Sequence, residues 1–297
     1  MLNEKERVDV IVLSSGAIRG FYQLGALYYL YEKIIYSPRY FAGTSVGAAI
    51  AGGLAVGYKP VEIFSYLCEN DVSEVLKIDF NIKLYMERWG AIDQKKVKEY
   101  MNNMIKNKWG HVPTFKELEE NDKNLIITSY KLTSNNPNVY FTAETHPNML
   151  ISDAIVLSMT LPLIFGKGEY ENNLYVDGGV FDRLPGKFAL EYALKKESKR
   201  LSEVYLYGID LRQPINNSCD TIQSYIKQLF YIPMKLQPEF PEEYERANLI
   251  HINTTEGDLS LYMTIKERTE AFCKGASAVK KWYLKKKIIQ DGKKKQD

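Results

Sequence analysis

The pentapeptide Gly43-Thr44-Ser45-Val46-Gly47 has the form G-x-S-x-G, in which flanking glycines let the backbone turn sharply around a serine. A strand pattern precedes it and a helix pattern follows. Such a turn lifts the serine hydroxyl out of a sheet and directs a helix N-terminus at it, so negative charge developing nearby is favoured. A small-residue turn that only packs a helix on a strand would use the same residues. A serine nucleophile needs a base. The three histidines, His111, His146 and His251, give no clear one: the first two lie beside Pro-containing polar loops and the third within a strand pattern. Asp177 is the carboxylate alternative, since it ends Leu174-Tyr175-Val176 and precedes Gly178-Gly179. In an open α/β sheet, functional groups gather at the carboxyl ends of strands, which is where Ser45 also falls. Asp177-Gly178 is equally a hairpin-turn signal. Acyl transfer further needs donors for an oxyanion, and Ser14 to Gly20 offers successive backbone N–H groups between a strand and a helix, with Gly16, Ala17 and Arg19 as candidates. A dinucleotide or phosphate loop fits poorly. Only one of the first two glycines of G-x-G-x-x-G is kept, and no Gly-Lys-Ser/Thr occurs.

These residues require a scaffold, and its elements are readable. Val8 to Leu13 is apolar at almost every position, the pattern of a strand buried on both faces. After Gly20, the residues Leu24, Leu27, Tyr28 and Tyr31 fall on one helical face. Tyr40-Phe41-Ala42 predicts a second strand and Val46 to Val56 a closely packed helix. Residues 60–124 are mainly helical in pattern, with Asp93 capping a helix from Gln94 to Lys106. Leu125 to Tyr130 and Val139 to Thr142 read as strands around the turn Asn135-Asn136-Pro137. Ser152 is expected to cap a helix that runs to Thr160, because Pro162 discourages continuation. Lys187 to Lys199 reads as a helix, with Leu174 to Val176, Val204 to Asp210 and Leu249 to Asn253 as strands. Alternation of this kind predicts an α/β fold with a mainly parallel central sheet covered on both faces. No internal repeat or long Pro/Gly/Ser linker interrupts the 297 residues, so a single domain, 1–297, is expected.

Composition narrows the function class. At 45% hydrophobic and 26% charged residues, a disordered or collagen-like chain is excluded. The net charge of +2 gives no sign of a nucleic-acid partner. The charge is uneven: residues 274–297 carry +7 and the remainder −5. Cys68, Cys219 and Cys273 fit neither a disulfide framework nor a metal site, and read as reduced thiols. Val10 to Leu13 is too short for a signal h-region or a membrane span, and no later stretch reaches about 18 apolar residues. A soluble, cytoplasmic protein without signal peptide or transmembrane segment is the expectation.

Taken together, four segments resemble the patatin-like phospholipases. They are the loop Ser15 to Gly20 followed by Leu24-Gly25-Ala26-Leu27; the elbow Gly43 to Gly47; Ser158 to Phe165 with Leu161-Pro162; and Tyr175-Val176-Asp177-Gly178-Gly179 leading to Leu184-Pro185. Phe272-Cys273-Lys274-Gly275-Ala276 resembles the family's closing helix. Core motifs span residues 8–185, with further strands and helices over 186–280 and a basic tail over 281–297. The resemblance implies a three-layer α/β/α sandwich and a lipid acyl hydrolase. It makes Ser45 the nucleophile and Asp177 its direct general base, without histidine. Gly16 and Ala17 would supply the oxyanion N–H groups, Arg19 would fix their loop, and Gly43, Gly47, Gly178 and Gly179 would support the two motifs. No cofactor, metal or calcium is implied. The substrate would be a phospholipid or other acyl lipid, met at a peripheral membrane surface. One departure stands out: the family's loop carries three consecutive glycines where this chain has Ser15-Gly16-Ala17. A left-handed Ala17 would cost on the order of 1–2 kcal/mol, whereas a methyl crowding the oxyanion would slow turnover about 10²–10³-fold. The alternatives are a Ser–His–Asp esterase using His251, and a lipid-binding protein with weak or no catalysis. Leu84-Tyr85-Met86 with Trp89, and Leu229 to Met234, could rim an acyl cleft, dip into a membrane or pack in the core. Lys285 to Lys287 and Lys293 to Lys295 could meet an anionic membrane or form a solvated tail.

Overall fold

The computed structural model describes residues 6–33, 35–36, 38–78, 81–200, 203–212, 220–221, 225, 228–229, 232, 237, 247–254 and 262–293. Cys219, Lys294, Lys295 and most of Leu229 to Met234 lie outside them. Strands are β1 (Glu6–Arg7), β2 (Val10–Leu13), β3 (Ile35–Tyr36), β4 (Tyr40–Gly43), β5 (Gly90–Ile92), β6 (Asn124–Lys131), β7 (Asn138–Phe141), β8 (Leu163–Phe165), β9 (Gly168–Tyr170), β10 (Asn173–Asp177), β11 (Leu206–Arg212) and β12 (Ala247–Asn253). Helices are α1 (Gly20–Lys33), α2 (Val46–Ala55), α3 (Pro60–Glu69), α4 (Val72–Val75), α5 (Ile82–Arg88), α6 (Gln94–Trp109), α7 (Phe115–Glu120), α8 (Ile151–Ser158), α9 (Gly186–Glu197) and α10 (Ile265–Lys293).

The alternation of side chains along β2 sets the layers. Ile11 and Leu13 point into the larger core beneath α1, α2, α3, α6, α8 and α10, while Val10 and Val12 point into a second core beneath α9. All four are fully buried, which is why this strand is apolar on both faces. The central sheet has the order β12-β11-β2-β4-β6-β10-β9, with β7 also paired to β6. From β12 to β6 every pairing is parallel; β6 with β7, β6 with β10 and β10 with β9 are antiparallel. The result is an α/β/α sandwich whose sheet is mixed, parallel from β12 to β6 and antiparallel beyond β6.

This change of direction positions chemistry. β4 partners residues 124–127 of β6, and β10 partners residues 129–131, with Asp177 opposite Ser129. The antiparallel β10 therefore brings its carboxyl end to β6 just beyond the point where β4 ends. A separate two-stranded parallel sheet pairs β5 with β8 through Gly90 and Leu163.

Two local expectations are corrected. Ser152 does not cap α8; the helix begins at Ile151 after Leu150. The Ile151 N–H donates to the Pro113 carbonyl at 3.1 Å, so a tertiary contact replaces the side-chain cap, and the Ser152 hydroxyl is buried without a partner. The basic residues 281–293 are not a separate tail but continue α10. That helix packs on α1 at a glycine–glycine crossing: a Cβ on Gly25 would lie 1.8 Å from the Phe272 carbonyl oxygen, and one on Gly275 would lie 1.9 Å from that of Tyr22.

Candidate active site

Strand β4 delivers the chain to Ser45, which has φ 58° and ψ −124°. A non-glycine residue there costs on the order of 1–3 kcal/mol and persists only where its surroundings hold it. They do. The Ser45 N–H donates to the Ser158 hydroxyl oxygen at 2.8 Å. The Thr44 hydroxyl bonds that of Thr128 and donates to the Asp182 carbonyl at 2.8 Å. No side chain fits at the flanking glycines: a Cβ on Gly43 would stand 2.2 Å from the Gly47 carbonyl oxygen, and one on Gly47 would stand 2.5 Å from that of Leu13. Helix α2 begins at the next residue, so its positive end faces the serine.

Asp177 ends β10, and its N–H donates to the Thr160 carbonyl at 2.8 Å. Its carboxylate, 1% exposed, accepts from the Gly179 N–H at 2.8 Å and faces the Ser45 hydroxyl, which favours its charged form. Gly178 lies against the Thr128 carbonyl, where a Cβ would come within 2.5 Å. Burial pushes the Asp177 carboxyl up to about 6 against the pull of the Ser45 hydroxyl and the Gly179 N–H. Neither donor is charged, so desolvation prevails.

The loop before α1 is tied down from several sides. Ser15 N–H donates to the Arg183 carbonyl at 2.8 Å, and Gln23 Nε2 donates to the Ser14 carbonyl at 2.8 Å. Arg19 Nε donates to the Gly16 carbonyl at 3.0 Å, and the Arg19 N–H bonds the same oxygen. That carbonyl is thereby fixed, while no acceptor among the described residues takes the N–H of Gly16 or Ala17. Ala17 has φ 48°, the left-handed conformation that glycine adopts freely.

An apolar cavity of about 870 Å³, part of it open to solvent, meets both segments. Ser45 and Ala17 line it together with Phe21 and Leu24 of α1, Ala49 and Ile50 of α2, Ile63 and Leu67 of α3, Val72 and Val75 of α4, and Met101 and Met104 of α6. Tyr100 also lines it, with its hydroxyl buried and without a hydrogen-bond partner.

The histidines lie elsewhere. His111 is exposed beside Glu117 at 3.0 Å, and His146 stands edge-on to Phe141. His251 Nδ1 contacts Asp210 Oδ2 at 3.0 Å on β12, three strands or about 14 Å from β4. A triad joining His251 to Ser45 is therefore overturned by strand order. Ser158, Thr128, Gln23 and Arg183, which brace the elbow and the loop, carry no signal readable from sequence except that Ser158 opens one of the four resemblance segments. Among the described residues no group of three or more His, Cys, Asp or Glu is placed to hold a metal ion.

Residues 11–190 match the family model described as patatin-like phospholipase. Over 290 residues the chain is 31% identical to a probable lipid hydrolase, 463L, of Invertebrate iridescent virus 6, covering 94% of this chain and 91% of that protein. Its fold is similar to the crystal structure of VipD from Legionella pneumophila, with TM-score 0.52 at 17% identity, covering 92% of this chain and 66% of that one. ExoU in its complex with SpcU, from the type III secretion system of Pseudomonas aeruginosa, gives TM-score 0.52 at 15% identity, covering 95% and 52%. The chain thus spans about two thirds of VipD and about half of ExoU.

Proposed function

The chain belongs to the patatin-like phospholipase family of lipid hydrolases, and from that premise we propose that it cleaves fatty-acyl esters of phospholipids through a Ser45 acyl-enzyme with Asp177 as general base. The observation that carries the reading is a buried carboxylate that faces the hydroxyl of a strained elbow serine and accepts from one backbone N–H, beside an apolar cavity. Asp177 takes the Ser45 proton as the oxygen attacks the acyl carbonyl, then returns it to the departing alcohol. The N–H groups of Gly16 and Ala17 receive the oxyanion, and the Arg19 bond to the Gly16 carbonyl keeps them turned toward it. Water then attacks the acyl-enzyme as Asp177 accepts its proton, and the bond from the acyl carbon to the Ser45 oxygen breaks, releasing the fatty acid while Asp177 returns the proton to Ser45. The alkyl chain occupies the cavity, where burial contributes about 0.8 kcal/mol per methylene. The reaction draws on no histidine, metal or cofactor. Ala17 supports an active loop, since its left-handed φ preserves the turn that a third glycine would make.

The test uses phosphatidylcholine vesicles and a soluble nitrophenyl ester with wild type, Ser45→Ala and Asp177→Asn. Both variants should lose about 10³-fold or more in kcat, as for other paired catalytic groups. A fluorophosphonate should leave a stoichiometric adduct on Ser45. Unchanged rates in either variant, or no adduct, would reject the assigned roles.

A further inference from the structure

Helix α5 is built inside out. Ile82 and Met86 fall at i and i+4 on one face, and Trp89 follows just past the last turn, yet they are 79%, 68% and 57% exposed. Leu84, Tyr85 and Arg88 take the half-buried side, and the helix has no fully buried residue. A surface helix ordinarily turns its apolar stripe to the core. Here the stripe faces solvent, and it is extended by a neighbour. Leu163, 54% exposed, is paired with Gly90 across the β5–β8 sheet, and the Lys167 N–H bonds the Arg88 carbonyl at 2.8 Å. Trp89 and Leu163 hold left-handed φ values of 63° and 66°. Bulky side chains rarely adopt that conformation, and such strain clusters at sites of function.

The position of this patch gives it meaning. Val75 and Leu76 precede it in the chain, and Leu161 and Phe165 flank Leu163; all four line the cavity that reaches Ser45. Ile82, Met86, Trp89 and Leu163 do not line it. The apolar stripe thus lies on stretches of chain that adjoin, in sequence, residues walling the cavity. The chain that carries it is cationic: residues 81–98 have a formal charge of +3, with Lys83, Lys95 and Lys96 exposed, while Lys98 pairs with Asp153 and Lys167 with Glu169. Lys167 lies 5.5 Å from the centre of the Trp89 ring. Apolar stripe, indole and lysines together match the boundary of a bilayer, where tryptophan concentrates and anionic headgroups attract basic side chains.

We propose that Ile82, Met86, Trp89 and Leu163 form a docking surface for an anionic phospholipid bilayer, which seats the cavity mouth on the leaflet that supplies its acyl chains. The proposal rests on the lipid acyl hydrolase reading and names the surface at which that chemistry meets its substrate. Insertion of the stripe lets an acyl chain pass from bilayer to cavity without crossing water. Each lysine brought to the anionic surface strengthens binding roughly fivefold.

The experiment uses the full chain and vesicles of phosphatidylcholine, with and without about one third phosphatidylglycerol. Trp109→Phe with Trp282→Phe leaves Trp89 as the reporter. On anionic vesicles its emission should shift to the blue and be quenched by brominated acyl chains. Ile82→Glu with Met86→Glu should weaken vesicle flotation at least tenfold and lower vesicle hydrolysis in step, while turnover of a soluble butyryl ester stays within twofold of wild type and so reports an intact fold. Phosphatidylcholine alone should bind at least tenfold less tightly. Unshifted Trp89 emission, or flotation unaffected by the glutamates, would overturn the proposal. So would a dimer in sedimentation that the glutamates dissociate without any change in vesicle binding, because a second copy would then cover the stripe. Ser45→Ala protein should float like wild type. If no ester of any kind is cleaved, the catalytic reading fails, and Trp89 quenching still decides the docking surface by itself.

Discussion

Two buried carboxylates at the carboxyl ends of sheet strands differ in what surrounds them. Asp210 is 2% exposed and Asp177 is 1% exposed. Against the cost of burial, His251, Arg183 and Arg212 draw Asp210 down to about 2. Asp177 has only neutral donors, so burial raises it to about 6. A base must hold no proton before it can accept one, and Asp177 is the member of the pair whose ionisation falls near neutral pH. We expect kcat/KM on a soluble ester to rise with pH on a single limb of apparent pKa near 6. A limb near 4 would mean that the base is a solvated carboxylate. The same value has a consequence for stability. The folded state holds the Asp177 proton more tightly than the unfolded chain does, so this group's contribution is fully present below its ordinary pKa of 3.8 and is lost as pH rises through about 6. Asp177→Asn should therefore match wild type in stability near pH 4 and exceed it at pH 8 by about 3 kcal/mol, measured by urea unfolding at both pH values.

At the scale of elements, the helices around the site are held by backbone contacts that leave no room for side chains. At the α1–α10 crossing, a Cβ on Gly275 would meet the Tyr22 carbonyl oxygen at 1.9 Å. Backbone on the opposing helix cannot give way as a side-chain tip can, so Gly275→Ala should cost about 1–3 kcal/mol through overpacking. Trp282, edge-on to Tyr207 at 5.9 Å, should report the loosening of α10 by a red shift in emission at lower denaturant. An unshifted unfolding midpoint would show that the helices separate without cost. This crossing also marks where sequence patterning stops being informative. The Gly43–Gly47 elbow is legible because turn chemistry is local: strand, glycine, serine, glycine and helix follow within a few residues. Helix α10 is joined to its neighbour by small residues while lysines cover much of its surface, so its basic stretch reads as a tail although it continues the helix to Lys293. Ser152 shows the converse, a good local cap signal overridden by the tertiary bond from Ile151 to Pro113.

At the scale of the whole molecule, the parallel half of the sheet is legible because each buried strand is apolar at nearly every position, as in Val10–Leu13 and Tyr40–Gly43. The antiparallel half is harder to read: β9 is three residues long, and the direction of β10 depends on its register with Ser129 rather than on composition. The cavity is harder still, since its walls run from Ala17 to Phe165 and only the fold makes them neighbours. It nevertheless has a measurable consequence. If the cavity holds the acyl chain, turnover of esters should improve with chain length by about 0.8 kcal/mol, or roughly fourfold, for each methylene buried. Ala49 lies one helical turn beyond Ser45 and lines the cavity, so Ala49→Phe places a ring in the path of the chain. A phenyl group takes the space of about three or four methylenes, which corresponds to about 3 kcal/mol of lost burial. The ratio of kcat/KM for a dodecanoyl over a butyryl ester should accordingly fall about 100-fold in Ala49→Phe. A selectivity ratio equal to that of wild type would mean that the chain leaves Ser45 by another route, along the protein surface rather than between α1, α2 and α6.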